Sequence, residues 1–408
     1  RDPPVSYNIG YIQPNIPQVE IPLYEGERYR DSVPDTLDLA ERARLAIHGL
    51  TAPLYPEGDY TLYWAATYFA NPSRMFFPEF QRIEPKFMEA LPLLRMICGS
   101  DYNSQVDRVW RDWMLKCIAP DGLVYLPADG KPYILWHPGY SQIIDVLALG
   151  RCVAVMTNYY IQTGNPLWKD HAERLVDAIA RIAIYREDYC FFPYPYFSPT
   201  DLPFNQNLPL VTGMNAAEFA GRVIGGPAQL YAVTGYEPAK ELARKCAIYM
   251  RDHSQYFNPD GSFNEDAERV ANYGGPHFAA HTKVLHDMVD YGLAANDQEM
   301  LDFVKRSYEW CRDHQYSYSL TGFFPEHLSS TSFHVETCEL ADMVGIVRNN
   351  YEPKYAYFAY AFLNLVNPLI SILYGVMGWT IAPLDPKPAA TQAVASASSE
   401  APADEPSP

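Results

Sequence analysis

Two glutamates at matching places in the chain give the first sign of chemistry. Pro259-Asp260-Gly261 and Leu320-Thr321-Gly322 are turn sequences, and four residues beyond their glycines stand Glu265 and Glu326, an offset of 61 (265 to 326). A similar turn, Pro120-Asp121-Gly122, lies upstream. Two carboxylates projecting over one cavity can flank a bond, one protonated to aid the leaving oxygen, the other acting as base or nucleophile. That is what glycoside hydrolysis needs. Glu326 follows Phe323, Phe324 and Pro325, and an apolar setting raises a carboxyl pKa as a proton donor requires. Glu265 stands beside Asp266 and Glu268, the composition of a solvated loop.

Polar residues also open the helices predicted after the long loops: His137 and Tyr140, Asn215 and Glu218, His277 and His281, then His334, Glu336 and Cys338. With Arg222 they are the residues expected to hold a substrate at a shared rim. His334-Val-Glu336-Thr-Cys338 is the densest group, and imidazole, carboxylate and thiol are all zinc ligands. Two or three of these side chains could share one ion. The same stretch also reads as the first turn of a helix with Leu340, Met343, Val344 and Val347 on its core face. Glu336 and Glu339 then sit near the positive end of its dipole. The spacing fits no established zinc signature, so no cofactor is expected. A Gly-rich phosphate loop, H-E-x-x-H and G-x-S-x-G are all missing from the sequence, which leaves nucleotide-dependent, zincin and serine-hydrolase chemistry without support.

The elements that must position these residues repeat. Gly150-Arg151 leads into Tyr160-x-x-Thr163-Gly164, and Gly221-Arg222 leads into Tyr231-x-x-Thr234-Gly235, at a constant offset of 71 (150 to 221, 160 to 231). A weaker third copy runs from Thr282 through Tyr291 to Ala294-Ala295. A long fixed period marks one supersecondary unit that buries its apolar face only by stacking on its neighbours. Here the unit is a helix, a tight turn and a second helix. Helical periodicity falls at 36–50, 84–99, 103–118, 140–163, 166–186, 215–234, 237–255, 277–294, 296–313 and 334–350, with a further helix within 355–382. Six helix pairs closed into a ring, an all-α (α/α)6 toroid, is the predicted fold, and an open superhelix is its competitor. Connections inside a pair are short (163–164, 234–235, 99–100) and those between pairs long (119–139, 187–214, 256–276, 314–333). The long loops therefore open on one face, where binding residues gather.

Composition bounds the rest. A formal net charge of −18 over 408 residues argues against nucleic acid as a partner, which needs clustered Lys and Arg. The 32 tyrosines suit a sugar-lined cleft as well as an aromatic core. Seven cysteines, widely spread and without C-x-x-C, predict small core residues rather than a disulfide framework. Residues 1–34, rich in Pro and Tyr, read as an extended arm, 35–384 as the barrel, and 385–408, of Ala, Ser, Pro and acid, as a disordered tail. The uncharged run 355–384 is long enough to span a bilayer, so it reads either as the last ring helix or as a membrane tether. The chain begins Arg-Asp-Pro-Pro, which leaves room for a removed leader, and a periplasmic or extracellular location is expected over a cytoplasmic one.

Five stretches together resemble the helical-barrel glycoside hydrolases of the β-L-arabinofuranosidase family and the related β-glucuronidase family. They are Asp38–Ala43, Lys86–Arg95, Gly221-Arg222-x-Ile224-Gly225-Gly226, His281-Thr282-Lys283 and Glu336-Thr337-Cys338-Glu339-Leu340-Ala341-Asp342. In the arabinofuranosidases the Glu-Thr-Cys sequence supplies a glutamate and a cysteine to zinc, a further cysteine is the nucleophile and an upstream glutamate is the acid/base. The resemblance thus places Glu336 and Cys338 at the metal and Glu326 near the acid/base. Cys338 is the last cysteine of this chain, so a two-carboxylate mechanism on uronic-acid-type sugars fits better than zinc-thiolate catalysis. The expected activity is hydrolysis of an oligo- or polysaccharide at a uronic acid or arabinose residue. Glu326 is then the proton donor, with Glu336 or Glu265 as its partner. A polysaccharide lyase or sugar epimerase on the same toroid, and a non-catalytic glycan-binding scaffold, are the competing expectations.

Overall fold

The computed structural model describes residues 39–62, 65–67, 74–76, 84–125, 143–262, 264, 278–313, 342 and 346. The chain divides into two units, Arg1–Asp38 and Leu39–Pro408. The expected arm falls in the first unit and the run 355–384 and the tail in the second, all outside the described residues.

The second unit is built of helices: α1 (Leu39–Thr51), α2 (Glu84–Cys98), α3 (Ser104–Cys117), α4 (Val146–Thr163), α5 (Pro166–Ile182), α6 (Met214–Glu218), α7 (Gly225–Thr234), α8 (Glu237–Ile248), α9 (Phe278–Ala295) and α10 (Gln298–Asp313). They pack in two layers. α2, α4, α7 and α9 touch one another in that order, while α1, α5, α8 and α10 lie against α2, α4, α7 and α9 respectively. Sequence dictates which layer a helix joins. α5 is amphipathic, burying Trp168, Ala172, Leu175, Val176, Ile179 and Ile182 at three- and four-residue spacing and leaving its other face to water. Each such aliphatic side chain contributes about 1.5–3 kcal/mol on full burial. α4 is buried almost all round, from Val146 to Tyr159, as an inner helix must be. This alternation of inner and outer helices is the (α/α)6 toroid that the repeat predicted.

The turns inside a pair are short for a local reason. Gly164 and Gly235 end α4 and α7 at φ 65° and 73°, a left-handed conformation that glycine adopts without a Cβ penalty. Their N–H groups donate to Tyr160 O and Tyr231 O at 2.8 and 2.7 Å. Asn165 then caps α5, its Oδ1 accepting from Leu167 N at 3.0 Å, with Pro166 in the first turn where no donor is lost.

Two small antiparallel pairs, Leu54–Tyr55 (strand β1) with Thr61–Leu62 (β2) and Ala65–Thr67 (β3) with Arg74–Phe76 (β4), follow α1. The structure shortens several predicted helices. α4 starts at Val146 because Ile144–Asp145 (β5) pairs antiparallel with Tyr196–Phe197 (β8). α5 stops at Ile182 because Ile184–Tyr185 (β6) pairs with Cys190–Phe191 (β7) in a hairpin. The predicted helix 215–234 is three pieces: α6, a single 3-10 turn Ala220–Arg222, and α7. Phe219, at φ −99° and ψ −85°, leaves helical geometry, and Pro227 falls in the first turn of α7, the place a helix tolerates it. α8 ends in one π turn, Tyr249–His253.

Candidate active site

Three cations arrive at one place by repeat symmetry. Arg151 and Arg222 stand at equivalent positions of the first two copies, and Lys283 follows at an offset of 61 (222 to 283). All three line a cavity of about 20 Å³, with Glu89, Asp287 and Asp290. The residues seven further along, Asn158, Gln229 and Asp290 (151 to 158, 222 to 229, 283 to 290), are polar in every copy. Gln229 and Asp290 line the same cavity, and Gln229 Nε2 donates to Asn158 Oδ1 at 2.7 Å. Asn158 Nδ2 in turn donates to the Glu89 backbone carbonyl at 2.9 Å, so the chain of contacts crosses α2, α4 and α7.

Glycines let these helices approach closely enough to share the cavity. A Cβ on Gly150 would collide with the backbone of Arg222 and Val223, and one on Gly226 would collide with Gly150 O. A Cβ on Gly225 would meet the Asp287 carboxylate. Any side chain at these positions would drive α4, α7 and α9 apart.

Each cation of the cavity has a carboxylate. Arg151 Nη1 meets Glu89 Oε2 at 2.5 Å, Arg222 Nη2 meets Glu218 Oε1 at 3.1 Å, and Lys283 Nζ meets Asp287 Oδ1 at 2.6 Å. Burial works against the Arg222 guanidinium, but Glu218, Asp287 and Asp342 outweigh it and hold its pKa above the usual arginine value. Lys283 is likewise held charged, by Asp287, Asp342 and Glu89 against the cost of burial. A fourth pair extends the cluster: His286 Nδ1 lies 3.0 Å from Asp342 Oδ1. Burial opposes the imidazolium, yet the Asp290 and Asp342 carboxylates raise its pKa, and the hydrogen bond from His286 lowers that of Asp342 despite burial. Glu89, Arg151 and Lys283 fall in the second turns of α2, α4 and α9, and Asp287 one turn further along α9, towards the ends of the inner helices that the long connections feed.

The residues expected from sequence divide accordingly. Glu218 and Arg222 belong to the cluster. Asn215 is exposed at the start of α6. His281 is turned to the outer layer, its Nε2 3.1 Å from Cys311 Sγ on α10 and its ring 5.1 Å from that of Phe257. Burial lowers its pKa to about 3, so it is a neutral packing residue and not one of the cavity's lining groups. Glu265, Glu326, Glu336, His137, Tyr140, His277, His334 and Cys338 lie outside the described residues. Among the described residues no group of three or more His, Cys, Asp or Glu side chains is arranged to hold a metal ion, and no helix is long and apolar enough to cross a membrane. Sequence reasoning missed Glu89, Arg151, Lys283, His286 and Asp287. The repeat offsets that relate Arg151 and Lys283 to Arg222 were the signal that could have found two of them.

No family model matches the chain, and no curated protein matches it either. Solved structures do. Cellobiose 2-epimerase from Bacillus thermoamylovorans B4167 superposes with a TM-score of 0.53 at 12% identity, over 81% of this chain and 86% of that one. An α-mannanase of glycoside hydrolase family 76 from Bacteroides thetaiotaomicron gives 0.51 at 9% identity, over 83% and 84%. A sugar epimerase from a ruminal bacterium gives 0.50 at 13% identity, over 81% and 86%. The likeness is one of fold. Hydrolases and epimerases of sugars both appear on this toroid, so the scaffold alone does not choose between them, and the side chains must.

Proposed function

We propose that this chain is a carbohydrate-processing enzyme that hydrolyses a glycosidic bond at the loop face of its toroid. The supporting observation is the convergence of Glu89, Arg151, Arg222, Lys283 and Asp287, from the inner helices α2, α4 and α9 and the 3-10 turn before α7, on one cavity. Buried paired charges are costly to assemble, and fixed dipoles and charges beneath a reacting sugar are what an oxocarbenium-like transition state exploits. In this reading Glu326 protonates the leaving oxygen, while Glu336 or Glu265 activates water or attacks the anomeric carbon. His137, Tyr140, Asn215, His277 and His334 contribute contacts to sugar hydroxyls. Arg222, the group a uronate carboxylate would need, is already engaged by Glu218. That favours a neutral sugar of the arabinose kind over a uronic acid at the cleaved position. The named neighbours on the same fold, a mannanase among them, agree with a carbohydrate substrate.

One observation favours a second reading. His286, paired with Asp342, is a buried imidazole of raised pKa, suited to moving a proton on and off a carbon beside a carbonyl as a sugar epimerase does. One experiment separates the readings: the protein is offered 4-nitrophenyl arabinofuranosides and glucuronides, and separately reducing disaccharides in D2O. Release of nitrophenol from the arabinofuranosides, slowed at least ~100-fold in Glu326→Gln, is the expected result. Deuterium appearing at C2 of the reducing sugar without hydrolysis makes it an epimerase. Glycan binding without either reaction overturns the enzyme reading and leaves a binding scaffold.

A further inference from the structure

Outside the cavity, one pair of reactive groups stands apart from the rest of the molecule. Cys190 Sγ and Cys246 Sγ are 3.7 Å apart, and both residues are fully buried. Cys190 lies on β7 of the hairpin that follows α5, and Cys246 in the last turns of α8, 56 residues away. Nothing in the sequence spacing brings them together; the docking of the hairpin does. Phe191 and Tyr189 stack on Tyr249 at 5.6 and 6.0 Å, Tyr189 stacks on His253 at 3.9 Å, and the Lys245 ammonium lies 5.8 Å from the Tyr185 ring centre. The hairpin is thus clamped on both sides of the two sulfurs.

We infer that Cys190 and Cys246 are a disulfide-forming pair that staples the β6–β7 hairpin to the end of helix α8. A bond of about 2.05 Å asks the sulfurs to close by about 1.6 Å, the kind of movement a χ1 adjustment supplies. The chemistry balances simply. The two thiols lose two protons and two electrons to an external disulfide such as glutathione disulfide, which leaves as two thiols after passing through a mixed disulfide. The Cys246 thiol is pushed well above its ordinary pKa, first by its contact with Cys190 and then by burial. Attack by a thiolate in the folded state is therefore slow, and the bond forms while the chain folds. The loop it closes contains Glu218, Arg222 and Gln229, so the staple would tie down the repeat that carries a third of the cavity's lining. An oxidising compartment, the one expected for this chain, is where such a bond persists.

The test is oxidative refolding of the full chain in a glutathione redox buffer, then alkylation of free thiols, digestion and peptide mapping without reductant. A Cys190–Cys246 linked peptide as the dominant cross-link is expected. The oxidised protein should melt at least ~3 °C above the same protein in reductant. Cys246→Ser should abolish that difference, and if it does not fold, the map of the unsubstituted chain decides alone. Quantitative alkylation of both thiols, linkage of either to another cysteine, or a bond that leaves the melting temperature unchanged overturns the inference.

Discussion

Burial and charge assign opposite fates to two imidazoles five residues apart on α9. His281, buried among Tyr256, Phe257, Ser307 and Cys311, meets only the cost of desolvation, which brings its pKa to about 3. His286 meets the same cost but faces the carboxylates of Asp290 and Asp342, and its pKa rises. Sequence alone read His281 as a rim residue because it opens a helix after a long loop; the direction of a side chain one turn into that helix is not legible in spacing. The pH dependence of stability tests the assignment. With a folded pKa of about 3 against 6.5 unfolded, the unfolded chain binds a proton that the folded one refuses. His281 therefore leaves stability intact above pH 6.5 and lowers it by about 1.4 kcal/mol per pH unit as pH falls towards 3. Urea midpoints between pH 6.5 and about pH 4.5 should show a loss steeper by that amount in the wild type than in His281→Gln, other groups cancelling. Equal slopes would mean that the imidazole is open to protons and not sealed in the packing.

At the scale of elements, the inner helices owe their spacing to glycine. Gly150 has the Arg222 carbonyl where its Cβ would be, whereas Gly164 has nothing within 4 Å and is constrained only by its φ of 65°. Gly150→Ala should cost roughly 1–3 kcal/mol by overpacking between α4 and α7, and Gly164→Ala about 1 kcal/mol from backbone strain. Denaturant titration measures both, and only the first should also disturb the Arg151–Glu89 pair. Had Gly150→Ala proved neutral, the close approach of the helices would be wrong. Most helices were legible because 3.6-residue periodicity persists for many turns: α2, α3, α9 and α10 match the expected spans to within a residue or two. What was not legible was short. Paired strands of two residues such as Ile184–Tyr185 fall below any period, and they trim the ends of α4 and α5. The break at Phe219 was invisible for a similar reason, since apolar spacing continues across it while the backbone does not. At the site, sequence named Arg222 but not Arg151 or Lys283, although the repeat offsets relate all three. Glu89 comes from a helix outside the repeat, and only packing reveals it.

Taken together, the described inner helices bury charge, against the usual rule that charged side chains stay outside. The inner layer of a ring of helices has two faces, one packed on the outer layer and one turned to the middle, and the middle face is where Glu89, Arg151, Lys283 and Asp287 meet. Such an interior is either a structural lattice or a functional one, and a double-mutant cycle distinguishes them. Lys283→Met leaves the Asp287 carboxylate buried beside Gly225 without its ammonium, which should cost about 3–5 kcal/mol. Lys283→Met combined with Asp287→Asn removes the stranded charge and should regain most of that loss, because a neutral amide in the same volume needs only hydrogen bonds. If the pair serves only to hold the ring, turnover of the arabinofuranosides should return with stability. If the charges act on the bound sugar, the double variant should fold like the wild type and still turn over at least ~100-fold more slowly. The second outcome is the one expected, because three cations placed by repeat symmetry around one cavity go beyond what packing requires.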